Sequence, residues 1–181
     1  MNFEIIENPL DNIYILKMPN FNDKRGNFVK VFRDDEFRQL GINFIPKEQF
    51  VSTSKENTLR GMHFQVNKSS QQKFVVCIKG EILDVIVDVR KESINFNKPI
   101  CFNLNSEDSL GIFIGKGYAH GFLCLKDNTT VNYLTDTVHN SADDKGILWS
   151  SINFKWPKRN FIISERDQKH PRIGKINYSF F

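Results

Sequence analysis

The chain of 181 residues is 40% hydrophobic and 25% charged, and its formal net charge is +4. This length is enough for one domain with a buried core, and the composition argues against intrinsic disorder. The positive charge is too small and too dispersed for a nucleic-acid-binding face, although it suits an anionic small molecule. No apolar run approaches the roughly 20 residues of a membrane-spanning helix, so we expect neither a nucleic-acid nor a membrane partner.

The N-terminal segment and the cysteines predict a cellular compartment. The segment MNFEIIENPL carries Glu4 and Glu7 and lacks the basic stretch and apolar core of a signal peptide. Cys77, Cys101 and Cys124 each lie alone in an apolar, strand-like run. An odd number of cysteines without CxxC spacing is typical of a reducing compartment. We therefore expect a cytoplasmic protein with three buried thiols.

The first elements along the chain are one short helix and a pair of long strands. Residues 34–40 read DDEFRQL, with acidic residues at the start and Gly41 as a stop signal, which predicts a helix. Residues 74–78 and 82–89 are apolar and β-branched, and Lys-Gly at 79–80 separates them. This pattern predicts a β-hairpin of two long strands.

The rest of the pattern is a series of short strands separated by polar turns. Seventeen phenylalanines are available to fill a core. Strands of this length at regular spacing predict an antiparallel sandwich or barrel. The remaining strand-like runs are residues 99–104, 111–114, 120–125 and 130–134.

The segment LRGMHFQ at residues 59–65 places a guanidinium and an imidazole on a half-buried strand. Because side chains alternate along a strand, Arg60 and His63 would face opposite sides if it were regular. A bulge at Gly61 would bring both to one side, and glycine accommodates a bulge most easily. Taken alone, His63 also fits a hydrogen-bonded core histidine, and Arg60 fits a surface charge.

A second histidine, His120, follows a glycine-rich turn in GKGYAHG at residues 115–121. Two histidines on strands of a small barrel suggest a metal site, and the turn is similar to one element of cupin metal centres. The other element is missing, because Gln65 stands where a second imidazole is needed and Lys73 follows instead of a carboxylate. First-row metals need three or four donors, so we predict no metal and no other cofactor. Acid–base chemistry by the histidines fits better.

Eight short motifs occur along the chain in a fixed order. They are DKRG at 23–26, LRGMHFQ at 59–65, QKF at 72–74, KGEILDVIVDVR at 79–90, GYAHGF at 117–122, Tyr133, GILW at 146–149 and SERD at 164–167. Together they resemble the family of dTDP-4-dehydrorhamnose 3,5-epimerases, and the resemblance extends over nearly the whole chain. It implies an all-β, cupin-type jelly roll (a double-stranded β-helix) with a few short helices, as one epimerase domain over residues 1–181, assembled as a homodimer.

The resemblance also implies the chemistry. The substrate would be a nucleotide-diphosphate 4-keto-6-deoxy sugar, epimerised at C3, C5 or both, in rhamnose-like deoxysugar biosynthesis for surface polysaccharide such as lipopolysaccharide. The keto group acidifies the neighbouring C–H, a base removes the proton, an enolate forms, and an acid protonates the opposite face. By carry-over, His63 is the base and Asp167 orients it. Tyr133 is the acid, and Lys73 stabilises the enolate oxygen.

The resemblance further implies the binding residues. Arg25 and Arg60 would hold the pyrophosphate, for which a forked guanidinium is well suited, and His120 would contact the sugar or a phosphate. Residues 23–32 would reach towards the partner's site in the homodimer. The other implied substrate-binding positions are Phe28, Lys30, Glu48, Phe50, Gln65 and His139.

Four of these positions depart from the family pattern. Lys30 replaces a glutamate, Glu48 and Phe50 replace a Gln-x-Asn pair, and His139 replaces a tyrosine. In the family these positions lie near the thymine ring. Lys30 places a hydrogen-bond donor where the family has a carboxylate, and Glu48 places an acceptor where the family has an amide. Cytosine would pair better with these two side chains. A CDP carrier therefore remains an alternative to dTDP, as does solvent exposure of both side chains. The change at His139 leaves open whether one or both carbons are epimerised.

Two rival functions share the implied fold. A non-catalytic cupin could bind a sugar nucleotide without turnover, but His63, Lys73, Tyr133 and Asp167 are all present, which favours an enzyme. Sugar 3,4-ketoisomerases are the second rival, and they lack the LRGxHxQ segment.

Overall fold

The computed structural model describes residues 2–157 and 160–178. Within these ranges the chain forms 13 β-strands and two short α-helices, with single turns of 3-10 helix at Asn67–Ser69, Trp149–Ser151 and Ile173–Lys175. The elements are β1 (Glu4–Leu10), β2 (Ile13–Lys17), β3 (Asn20–Asp23), β4 (Gly26–Val29), α1 (Asp34–Gln39), β5 (Glu48–Ser54), β6 (Leu59–Gln65), β7 (Lys73–Lys79), β8 (Glu81–Asp88), β9 (Pro99–Asn105), β10 (Leu110–Ile114), β11 (Tyr118–Cys124), β12 (Thr129–Thr135), β13 (Asp144–Gly146) and α2 (Glu165–Gln168).

Two sheets make up the body of the molecule. One has six strands in the order β1-β2-β10-β7-β12-β5, and the other has five in the order β13-β6-β11-β8-β9. Strands β3 and β4 form a separate hairpin. From β5 to β8 and from β9 to β13 the chain alternates between the two sheets, and the paired strands of the described ranges are antiparallel. This alternation is that of a jelly roll, so the predicted double-stranded β-helix is confirmed.

The predicted hairpin of residues 74–78 and 82–89 is wrong. Strand β7 pairs with β10 and β12, whereas β8 pairs with β11 and β9 in the other sheet. The turn between them is a corner at Gly80, where φ is +81° and a Cβ would collide with Thr129. Each apolar strand thereby gains two neighbours. A period of two reports which side chains share a face, but it does not report which strand lies alongside.

Alternate residues of the central strands enter different cores, which explains their nearly continuous apolar sequence. Val75 of β7 lies in the core that contains residues of both sheets, and its neighbour Phe74 packs in a second core with Phe37 of α1. Similarly, Ile86 of β8 faces the first core, and Val85 faces a third core built with the C-terminal segment. Strands buried on both faces need no polar alternation.

The predicted helix is confirmed as α1, which ends at Gln39 just before Gly41, where φ is +78°. The prediction of three buried thiols is wrong for Cys101, which is exposed, whereas Cys77 and Cys124 are buried. Strand β9 forms the edge of the five-stranded sheet, so its outward side chains lack covering neighbours. Among the described residues, no helix is long and apolar enough to cross a bilayer.

Candidate active site

A cavity of about 300 Å³ is lined by β5, β7 and β12 of one sheet and by β6 and β11 of the other. A wider cavity of about 680 Å³ lies beside the β3–β4 hairpin and has no histidine in its lining. The smaller cavity is therefore the candidate site. Nine of the residues predicted from the sequence line it, namely Glu48, Phe50, Arg60, His63, Gln65, Lys73, His120, Tyr133 and His139.

The predicted bulge at Gly61 is confirmed, and it brings Arg60 and His63 to the same cavity. Along the β6–β11 pair, His63 lies opposite His120 and Arg60 lies opposite Phe122, so β6 carries one extra residue. Gly61 has a φ of +120°, and a Cβ there would come within 2.6 Å of the Cα of Gly121. A glycine is needed for this conformation and for the close approach of the two backbones.

His63 is paired with a carboxylate, that of Asp167 in α2. The distance from His63 Nε2 to Asp167 Oδ1 is 2.8 Å, and the backbone N–H of Gly61 donates to Oδ2 at 3.0 Å. Ser164 caps α2 by accepting from the backbone N–H of Asp167 at 3.1 Å. Both carboxylate oxygens and the backbone of Asp167 are therefore held in place.

The protonation states of this pair follow from its contacts. Burial alone would raise the pKa of Asp167, but His170, His63 and the Gly61 N–H outweigh it and hold that pKa well below its usual range. An ionised carboxylate only accepts, so Nε2 of His63 donates and the lone pair is left on Nδ1. Burial lowers the pKa of His63 despite the opposing effect of Asp167. The imidazole is therefore neutral near pH 7 and can act as a base.

Lys73 begins β7 and supplies a buried cation. Its side chain is only 9% exposed, and Nζ donates to the carbonyl of His63 at 3.4 Å. Burial lowers the pKa of Lys73 to about 8, and the carboxylates of Asp144 and Asp84 limit the shift. The ammonium thus remains mostly charged near pH 7, in surroundings where a charge acts strongly on a neighbouring anion.

Tyr133 lines the cavity from the six-stranded sheet, whereas His63 belongs to the five-stranded sheet. The ring of Tyr133 stacks on Phe50 with centroids 4.6 Å apart, and the Tyr133 hydroxyl lies 3.4 Å from Ser52 Oγ. Burial raises the pKa of Tyr133 well above its usual value. The phenol therefore keeps its proton and can donate it. A base and an acid from different sheets thus share one cavity.

His120 forms a second histidine–carboxylate pair, with Asp84. Its Nε2 lies 2.7 Å from Asp84 Oδ2, and both side chains are buried. Asp84 was not assigned a role from the sequence. A signal was present, since a carboxylate in the apolar run ILDVIVDV is costly to bury unless it is paired.

A polar network closes one side of the cavity. Glu48 accepts from the backbone N–H of His139 at 2.7 Å, and His139 Nε2 lies 3.2 Å from Asp144 Oδ2. Arg166 pairs with the same oxygen at 2.6 Å. Asp144 and Arg166 also line the cavity, and neither was predicted to do so, although Arg166 lies within the SERD motif.

Gln65 holds the chain around the cavity. Its amide oxygen accepts from the backbone N–H of Asn140 at 2.7 Å, and its amide nitrogen donates to the carbonyl of Ser69 at 3.1 Å. These contacts tie β6 to the segment before β13. Gln65 therefore shapes the cavity wall through its amide, and its contact with substrate stays a prediction.

Three predicted substrate-binding residues do not line this cavity. Arg25 lies in the β3–β4 turn and pairs with Asp23, Phe28 is 62% exposed, and Lys30 lies over the ring of Phe21 at 5.8 Å. The reason is that β3 and β4 pair only with each other, and the hairpin lies beside the wider cavity instead of this one. Within one chain, these predictions of substrate contact are not supported.

One group of residues could in principle bind a metal ion among those that the structure describes. It consists of His63, Asp167 and His170, whose potential ligand atoms lie within 4.8 Å of one another. His63 Nε2 and Asp167 Oδ1 are 2.8 Å apart. Two donors at 2.0–2.1 Å on a tetrahedral zinc would be separated by roughly 3.3 Å. Cationic Lys73 and Arg166 are also close enough to lower the pKa of His63. The cluster fits a hydrogen-bonded pair better than a metal site.

Known proteins share both the sequence and this architecture. Residues 7–175 match the family described as dTDP-4-dehydrorhamnose 3,5-epimerase. The enzyme of that name from Shigella flexneri is 34% identical over 179 residues, which cover 96% of this chain and 98% of that protein.

Solved structures agree with the sequence match. The dTDP-4-dehydrorhamnose 3,5-epimerase of Sulfolobus tokodaii superposes with a TM-score of 0.92 at 34% identity, covering 99% of each chain. The dTDP-6-deoxy-D-glucose-3,5-epimerase of Legionella pneumophila, solved with dTDP-4-keto-L-rhamnose, superposes with a TM-score of 0.93 at 26% identity, again over 99% of each chain. With the fold, the cavity and the eight motifs in agreement, the chain belongs to the dTDP-4-dehydrorhamnose 3,5-epimerase family.

Proposed function

We propose that this isomerase epimerises a dTDP-linked 4-keto-6-deoxyhexose at C3, C5 or both, in rhamnose-like deoxysugar biosynthesis. The observation that carries the proposal is the neutral, carboxylate-bound His63 in one cavity with the protonated Tyr133 of the other sheet. A base and an acid are the two groups that an inversion through an enolate requires.

Nδ1 of His63 takes a proton from the carbon beside the 4-keto group, and the C–H electron pair becomes an enolate whose charge lies on the former keto oxygen. The ammonium of Lys73 stabilises that oxygen, and Asp167 stabilises the imidazolium. Tyr133 then donates its phenolic proton to the opposite face of the carbon. Exchange with water restores His63 and Tyr133 to their starting states.

The pyrophosphate of the carrier is assigned to Arg60. Its Nε donates to Ser54 Oγ at 2.9 Å, which orients the guanidinium and leaves its two terminal nitrogens for phosphate oxygens. Arg60 lines the cavity, so a bound pyrophosphate would leave the sugar within reach of His63.

The proposed nucleotide is dTDP, because the Legionella relative carries a dTDP sugar. The CDP alternative depended on Lys30 and Glu48 reading the base together. Glu48 instead accepts from the backbone of His139, and Lys30 lies outside the cavity in this protomer. No contact among residues 2–157 and 160–178 favours CDP, and the CDP hypothesis stays a prediction that the following experiment also tests.

Incubation with the 4-keto-6-deoxyglucose derivatives of dTDP and CDP in deuterium oxide tests both points. We expect NMR to show deuterium at C3, C5 or both of the dTDP sugar, at rates typical of an enzyme. The pattern of labelling reports how many carbons are epimerised. Faster exchange of the CDP sugar would transfer the assignment to that carrier. Exchange at neither carbon, with dTDP sugar shown to bind, would favour a non-catalytic binding module.

We also propose a homodimer in which residues 23–32 reach the partner's site. The hairpin exposes Phe21 and Phe28, and the edge strand β5 exposes Phe50 and Val51, which supports a surface covered by a second copy. In such a dimer Arg25 would contact the substrate in the partner's site, although it does not line the cavity of its own chain. Light scattering at micromolar concentration should give twice the mass of one chain.

Complementation between two impaired variants tests this arrangement directly. We expect Arg25→Ala and His63→Asn each to lose most activity alone. Unfolding and refolding them together should restore up to a quarter of the sites, since a mixed dimer has one site with both native residues. Absence of any recovery in demonstrated mixed dimers would mean that Arg25 serves its own chain or none.

We also propose that the chain is one domain and lies in the cytoplasm. The first core combines residues of β2 and β12, which are far apart in the sequence, and this supports a single domain. Cys77, Cys101 and Cys124 are free thiols, in keeping with a reducing compartment such as the cytoplasm.

A further inference from the structure

His170 lies beside the catalytic pair and has no role in the steps above. It follows α2, three residues after Asp167, and its Nε2 lies 3.6 Å from Asp167 Oδ1. Its ring meets the ring of His63 edge-on, with centroids 5.6 Å apart and planes at 75°. Nε2 is buried and has no hydrogen-bond partner at normal distance among the described residues. A buried ring nitrogen is therefore aimed at the oxygen that His63 uses.

The neighbouring backbone makes room for this imidazole. Gly146 of β13 pairs with His63 of β6, and a Cβ at Gly146 would collide with Nε2 and the adjacent carbons of His170. Any other residue at position 146 would push the ring away from Asp167. The glycine of the GILW motif, to which the sequence analysis gave no role, thus permits the contact.

We propose that His170 is a positioning residue that limits the basicity of His63 through their shared carboxylate, Asp167. The proposal rests on the proposed function, because it takes His63 to be the base. His63 donates to Oδ1 at 2.8 Å and His170 faces the same oxygen at 3.6 Å. A donor on His170 draws on the negative charge of Asp167, which leaves less of that charge to stabilise a His63 imidazolium. The His63 lone pair consequently stays available near neutral pH.

Other charged groups face the pair and are the same in every variant below. Lys73 approaches from β7 and Arg166 from α2, and both act on His63. Asp144 of β13 binds Arg166, and His120 of β11 lies opposite His63 but pairs with Asp84. A difference between substitutions at position 170 therefore reports the His170 contact and not these groups.

The test is an NMR titration of the His63 ring in the substrate-free enzyme. The chain has only four histidines, and the His63→Asn spectrum identifies the His63 signal. His170→Leu removes the polar nitrogen that faces the carboxylate, and we expect it to raise the pKa of His63 by about one unit because Asp167 then acts on His63 alone. His170→Gln keeps an amide donor near the position of Nε2 and should titrate close to the native enzyme. If the leucine variant fails to fold, His170→Met is the substitute, and it should raise the pKa of His63 in the same way.

The pH profile of kcat/KM supplies the matching kinetic measurement. In His170→Leu its acid limb should move to higher pH by the same amount, so that activity below the limb falls about tenfold, and His170→Gln should restore it. Equal shifts in the glutamine and leucine variants, or no shift in either, would overturn the proposal. The titration needs no substrate, so it can be interpreted whether or not the enzyme exchanges deuterium. Failure to exchange deuterium would contradict the proposed function alone.

Discussion

Replacing His63 by asparagine should reduce deuterium exchange at C3 and C5 by about 10²–10⁴-fold, the usual effect of losing a positioned general base. Asparagine is too short to reach the oxygen that His63 Nε2 meets at 2.8 Å, but Asp167 still accepts from the backbone N–H of Gly61, so the fold should persist. Calorimetry should show dTDP binding within a few-fold of the native enzyme. His63→Ala should behave alike in exchange.

Asp167→Asn is the informative companion variant. It keeps the shape of the side chain but removes the charge that stabilises the His63 imidazolium and selects its tautomer, so exchange should also fall, with binding retained. Near-normal exchange in His63→Asn would mean that another group is the base. Circular dichroism should show that each variant is folded, so that a loss of exchange can be attributed to the missing side chain.

Replacing Lys73 by methionine should change activity and stability in opposite directions. Methionine fills a similar volume without charge, so the enolate loses a buried cation, and we expect kcat to fall by about 10²–10³-fold. At the same time the free energy of unfolding at pH 7 should rise by about 1–3 kcal/mol, because the folded protein no longer holds a charge that burial disfavours. Chemical denaturation and deuterium exchange measure the two effects.

The pH dependence of this stability difference has a definite sign. The pKa of Lys73 is about 8 in the folded protein, against 10.5 for an unperturbed lysine. Between these values the unfolded chain holds a proton that the folded protein has released, so native stability rises with pH relative to the variant. The advantage of Lys73→Met should therefore shrink through this window and vanish above it. Native kcat/KM should fall as pH rises past about 8, since the cation is lost.

Lys79→Met is a matched control on the same strand. Lys79 ends β7 and is exposed, so removing its charge should leave both exchange and stability within the small range of surface substitutions. A gain in stability from Lys79→Met equal to that from Lys73→Met would show that added hydrophobicity, and not relief of a buried charge, is responsible.

Local sequence determined the elements that depend on neighbouring residues. The helix of residues 34–39, the β-rich pattern and the extra residue at Gly61 all follow from backbone preferences within a few positions. The proposed catalytic set of His63, Lys73, Tyr133 and Asp167 came from motifs that resemble a known family, and three of the four line one cavity with the fourth bonded to His63.

Tertiary structure alone decided which strands and side chains meet. The alternating pattern of β7 and β8 fits a hairpin as well as a corner between sheets, because it carries no information about distant partners. The burial of Asp84 in an apolar run indicates that it has a partner, but no local pattern identifies that partner as His120, or the partner of Arg166 as Asp144. His170 meets Gly146 and His63 only because the segment that carries α2 packs against β6 and β13. These contacts join residues far apart in the sequence, and chain folding, not local preference, sets their distances.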